Sequence, residues 1–93
     1  MNKNQVQEQI NVFANKFGVE INWMPISRTN EMAGVNGWDI GYYVSDELFT
    51  YYPGDKKVKI KLEDLTPEQL NQILEEDSEH FQSLKILMIC GII

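Results

Sequence analysis

The chain holds one histidine, His80, and one cysteine, Cys90, so any nucleophile and base of the cysteine-protease type would have to be these two. Such a pair works only when thiolate and imidazole lie within hydrogen-bond reach. Ten residues along one helix amount to about 1,000° of rotation, about 80° short of three turns, and about 15 Å of rise. A continuous helix therefore holds the two apart, and they read as a surface histidine near a helix start and a core cysteine. No catalytic residues and no enzymatic activity are expected.

Metal chemistry has one candidate, the run Glu75-Glu76-Asp77-Ser78-Glu79-His80. It matches neither the spacing of a calcium-binding EF-hand loop nor the H-E-x-x-H pattern of zinc peptidases. Glu76 and His80 stand four apart, which suits a shared ion on a helix but is more often an ordinary surface contact. Neither a metal nor another cofactor is expected. Gly34, Gly37 and Gly41 are too dispersed to form a phosphate-cradling loop at a helix start.

Lys56, Lys57, Lys59 and Lys61 lie close to Tyr51 and Tyr52, the ingredients of a site for single-stranded nucleic acid. Lysines on an edge strand also prevent edge-to-edge aggregation. Eight Lys and Arg against fourteen Asp and Glu give a net charge of −6, which opposes phosphate binding. The lysines are thus read as a solvated edge, with no direct nucleic acid as partner.

The acidic residues are unevenly placed. Glu63, Asp64, Glu68, Glu75, Glu76, Asp77 and Glu79 follow one another with no intervening Lys or Arg. Carboxylates along a helix can occupy a basic groove in place of phosphates and steer a cationic partner, or form a hydrated face. Tyrosine supplies the second signal: Tyr42, Tyr43, Tyr51 and Tyr52, with Phe49, cannot all be hidden by strict alternation on one side of a sheet. Tyrosines left outside are common interface anchors. The seven acids and four tyrosines are the candidate protein-binding residues, and the expected partner is a protein with a basic or neutral surface.

The elements that must position these groups follow from periodicity. Val6, Ile10, Phe13 and Phe17 form one helical stripe over residues 4–16, which Gly18 ends. Val19, Ile21 and Trp23 alternate as a strand that Pro25 confines to an edge or ends. Ser27 to Gly37 reads as a loop with at most one helical turn. Trp38 to Val44, Leu48 to Tyr52 and Val58 to Leu62 read as a three-stranded antiparallel meander, with Pro53-Gly54 turning the chain before the last strand. Thr66-Pro67-Glu68-Gln69 is a helix start with a capping box, and its helix carries Leu70, Ile73 and Leu74. Asp77 or Ser78 starts another helix with Phe81, Leu84 and Met88 on one face, and the apolar Ile92 and Ile93 are expected to pack.

The expected fold is thus a single α+β domain over residues 1–93: an N-terminal helix, about four mostly antiparallel strands, and two C-terminal helices on one sheet face. One cysteine allows no intramolecular disulfide, the N-terminus lacks a signal peptide's apolar core, and the longest apolar run, Ile86 to Ile93, has eight residues against about 20 for a membrane span. A cytoplasmic location without membrane association is expected. In composition the chain resembles small acidic accessory proteins of bacteria and phages, among them inhibitors of nucleic-acid enzymes, anti-CRISPR proteins and immunity proteins. That resemblance implies a stoichiometric inhibitor of a basic-surfaced enzyme or toxin. The alternative is a small regulatory or structural subunit that forms a homodimer through its sheet.

Overall fold

The computed structural model describes residues 1–92, with side chains through Ile86. Met88, Cys90, Ile92 and Ile93, assigned above to helix packing and the core, lie outside the described side chains. Helix α1, Lys3–Asn15, starts from a capping box in which Asn2 accepts from the Gln5 amide and Gln5 accepts from the Asn2 amide. Five strands follow, β1 Asn22–Pro25, β2 Glu31–Val35, β3 Trp38–Val44, β4 Leu48–Tyr51 and β5 Val58–Lys61. They form one antiparallel sheet in sequence order, so β1 and β5 are its edges. Helix α2, Pro67–Glu76, has the Thr66–Gln69 capping box read from the sequence, and α3, Ser78–Ile92, follows after Asp77.

The segment expected to be a loop is the main correction, because it contains β2 and brings the strand count to five. Its Ala33 and Gly34 carry little strand propensity, which hid the alternation of Glu31, Ala33 and Val35. Gly34 lies under the Met24 methyl group from β1, the flexible end of a side chain that a Cβ at this position would displace. Asn36 and Gly37 both have positive φ, 52° and 83°, the backbone of a tight two-residue hairpin turn whose twist suits the flanking strands. The first strand also pairs later than expected, at Asn22 to Pro25, although Val19 is buried ahead of it.

Pairing register assigns faces. Glu31, Val44, Phe49 and Ile60 form one cross-strand row, and Tyr42, Tyr51 and Val58 form the next on the same face. This inner face meets all three helices: Val6, Ile10 and Phe13 of α1, Leu70 and Leu74 of α2, and Phe81 and Leu84 of α3 share one core with Ala33, Val35, Ile40, Tyr42, Val44 and Phe49. Phe81 is the hub. Its ring lies 5.0 Å edge-on from Phe13, 6.0 Å from Phe17 and 5.8 Å from Tyr42, centroid to centroid. Polar ties fix α1 to the first hairpin: Trp23 Nε1 donates to Asn11 at 2.9 Å, and Lys3 pairs with Glu31 at 3.0 Å. The Gln7 amide, and then Lys3, hold the Glu31 carboxyl below its usual range.

Between Met32 and Gly34 of β2 lies one residue, Ala33, whereas three residues of β3, Ile40 to Tyr42, span the same interval. The bulge bends β3 at Gly41, whose φ of 89° suits glycine. Ile40 and Tyr42 both remain buried, while Trp38 at the hairpin tip is 64% exposed.

Truncating the hub should be costly where truncating a surface residue of the same helix is not. Phe81→Ala is expected to lower unfolding free energy by about 3–5 kcal/mol, and Ile86→Ala by under about 0.5 kcal/mol, in urea titrations followed by circular dichroism.

Candidate functional site

Three places carry polar chemistry. The first is the outer surface of α2 and its flanks. Leu70 and Leu74 turn into the core, leaving Glu68, Glu75 and Glu76 exposed, and Glu63, Asp64 and Glu79 are exposed beside them. Glu75 and Glu76 take only weak hydrogen bonds from Asn71 and Gln72, one turn earlier. Among the described residues the one ion pair is Lys3–Glu31, so these six carboxylates face solvent without a cationic neighbour in contact. Their charge is uncompensated where a partner would meet it.

The second is the elbow between α2 and α3. Asp77 breaks the helix with φ −103° and ψ 17°, which separates Glu76 and His80 into different helices and removes the i, i+4 geometry considered for an ion. Its carboxylate accepts a hydrogen bond from the buried Tyr42 hydroxyl. His80 Nε2 lies 2.9 Å from the Ile40 carbonyl, for which it is the donor. The histidine is therefore half-buried and attached to the bulge, not free on the surface as the sequence suggests. Both bonds tie the elbow to β3, and a small cleft of about 190 Å³ remains between Gly41, Tyr52, Asp77 and His80. Among the described residues no group of three or more His, Cys, Asp or Glu side chains could hold a metal ion.

The third is the outer face of the sheet. Met24, Met32, Tyr43, Thr50 and Lys59 form one continuous cross-strand row on it. Tyr52 packs edge-to-face on Tyr43, with centroids 5.9 Å apart. Tyr43 donates to Asp39, whose other carboxylate oxygen accepts from the Gly41 amide at 2.8 Å, so the bulge fixes the Tyr43 ring. A shallow concavity of about 340 Å³ opens between Tyr43, Tyr52, Thr50, Lys57 and Lys59.

The four candidate tyrosines therefore divide by face. Tyr42 is enclosed, stacked on Phe49 and Phe81, and offers no surface. Tyr51 is on the inner side against Phe49, half-buried, and only Tyr43 and Tyr52 face outward. Asp77 is likewise occupied by Tyr42 and separate in role from the six exposed acids. The residues that sequence reasoning missed on the outer face are Met24, Met32 and Thr50. The Asn36-Gly37 hairpin signal would have found β2, but its register carried through sets Met32 opposite Gly41, and the bulge moves it to Tyr43. No helix among the described residues is long and apolar enough to cross a membrane. No family model, curated protein or solved structure matches the chain.

Burial, and then the hydrogen bond and charge of Asp77, push the Tyr42 phenol well above its usual value, while the Asp39 bond pushes Tyr43 up to about 12. An unfolded tyrosine ionises near pH 10. Above that pH the unfolded chain releases protons that the folded chain retains, so stability present below about pH 10 is lost as pH rises toward the folded values. The urea midpoint should be flat to about pH 9 and fall beyond pH 10. Tyr42→Phe should cost about 1.5–3 kcal/mol at neutral pH and flatten that alkaline decline. An alkaline slope equal to wild type in Tyr42→Phe would remove Tyr42 as its source.

Proposed function

We propose that the protein is a non-catalytic binding module that occupies the basic surface of another protein through the acidic face of α2, acting as a stoichiometric inhibitor. One observation carries this reading: Glu63, Asp64, Glu68, Glu75, Glu76 and Glu79 are exposed on one helix and its flanks with no ion-pair partner. A carboxylate array held on a capped helix is preorganised. Its backbone is already ordered, so binding costs side-chain freedom alone there, and its field raises encounter rates with cationic surfaces. Basic partners of this kind include enzymes acting on nucleic acids and cationic toxins. A cytoplasmic setting is part of the proposal, since the chain uses a single cysteine.

The test reverses Glu75, Glu76 and Glu79 to Lys together, a change of +6 that takes the net charge from −6 to about zero. Each substitution should alter stability by under about 0.5 kcal/mol. Wild type immobilised at low salt should retain a basic protein from a lysate of the native host, with association ten- to a thousand-fold faster than for the variant. Unchanged capture and association rate in a folded variant would dismiss the carboxylates as the interface.

A further inference from the structure

We propose a second, independent binding site on the outer face of the sheet, for a short stretch of single-stranded nucleic acid with its phosphates on Lys57 and Lys59 and a base against Tyr43 and Tyr52. The sheet carries its helices on the inner face alone, which leaves Tyr43, Thr50 and Lys59 in one row across β3, β4 and β5. Neighbouring strands lie about 4.8 Å apart, so the row sets an aromatic ring and an ammonium group roughly 10 Å apart at backbone level with a hydroxyl between them. Tyr52, 43% exposed, stands beside Tyr43, and Lys57 and Lys59 are exposed at the border of the same concavity. Aromatic faces interleaved with lysines on an open antiparallel sheet recognise bases that are not already stacked, and a shallow face of this kind cannot enter a duplex groove.

Charge decides which side of the bound strand faces which residues. Asp39 holds the Tyr43 hydroxyl and repels phosphate at that end, whereas the lysines attract it at the β5 border. The base is thereby directed to the tyrosines and the backbone to the lysines. Of the aromatic pair read from the sequence, Tyr52 belongs to this site and Tyr51 does not, because register places Tyr51 among the helices and Tyr43 takes its place. The net charge of −6 opposes any phosphate, so binding is weak and confined to low ionic strength. The acidic α2 surface takes no part, and either site stands if the other fails.

The probe is a fluorescein-labelled oligothymidylate of about a dozen nucleotides, titrated with the intact chain by fluorescence anisotropy. With two phosphates neutralised, raising salt from about 50 to about 200 mM should weaken binding roughly sevenfold. Tyr52→Ala should weaken it roughly five- to a hundred-fold, and Lys57→Gln with Lys59→Gln should weaken it and abolish most of the salt dependence. Lys85→Gln, on exposed α3 surface, should leave it unchanged. Circular dichroism confirms that each variant is folded. No binding at low salt overturns the proposal, as does an equal loss in Lys85→Gln, which would mean diffuse attraction. Competition by polyglutamate with no effect of Tyr52→Ala would give the face to an acidic peptide instead. Wild type that sediments as a dimer, with Tyr52→Ala a monomer, would give it to a second copy of the chain.

Discussion

Tyr42 joins the layers of this fold. Its ring stacks on Phe49 in the sheet and on Phe81 in α3, and its hydroxyl reaches Asp77 at the end of α2. A phenol 1% exposed must satisfy its hydroxyl or lose the solvation it had in water, and the Asp77 carboxylate does so with a charge-assisted bond. The bulge at Gly41 bends the strand while keeping Ile40 and Tyr42 turned inward, and the Ile40 carbonyl accepts from His80 on the next helix. The Tyr42–Asp77 and His80–Ile40 hydrogen bonds therefore tie the junction of α2 and α3 to β3. The direction of α2, and with it the direction of the acidic surface, depends on that elbow.

The same arrangement segregates charge. Helices cover only the inner side of the sheet, so the carboxylates of α2 and the lysines of β5 are displayed on different surfaces though they adjoin in sequence. A chain with net charge −6 can then present a local cationic face while remaining acidic overall. Asp39 makes the division sharper on the outer face, since its two carboxylate oxygens are committed to Gly41 and Tyr43. A single acidic residue both supports the bulge and orients the most central outward ring.

Much of this was legible in the sequence where local chemistry speaks alone. The Thr66–Gln69 box, the stripe of Val6, Ile10 and Phe13, and the alternation of Val58 and Ile60 with lysines all depend on neighbours within a few residues. Tyr42 shares the parity of Ile40 and Val44, so its burial could be inferred even though its residue type argued for an interface. β2 was hidden because Ala33 and Gly34 carry little strand propensity, while its pairing with β1 and β3 belongs to tertiary structure that a local pattern does not contain. The outer row of Met24, Met32, Tyr43, Thr50 and Lys59 is likewise a product of register across five strands. Distant residues meet there through hairpin geometry, and no spacing in the sequence announces it.

One sheet face is sealed by helices and the other is open to water. Solvent paramagnetic relaxation enhancement with a neutral gadolinium chelate reads this directly, residue by residue. Strong enhancement is expected for the Tyr43 and Tyr52 rings and the Met24 and Met32 methyl groups, with Tyr42, Phe49 and Phe81 nearly silent. Protection of the outer tyrosines and methionines equal to that of Phe49, in the monomeric protein, would contradict it.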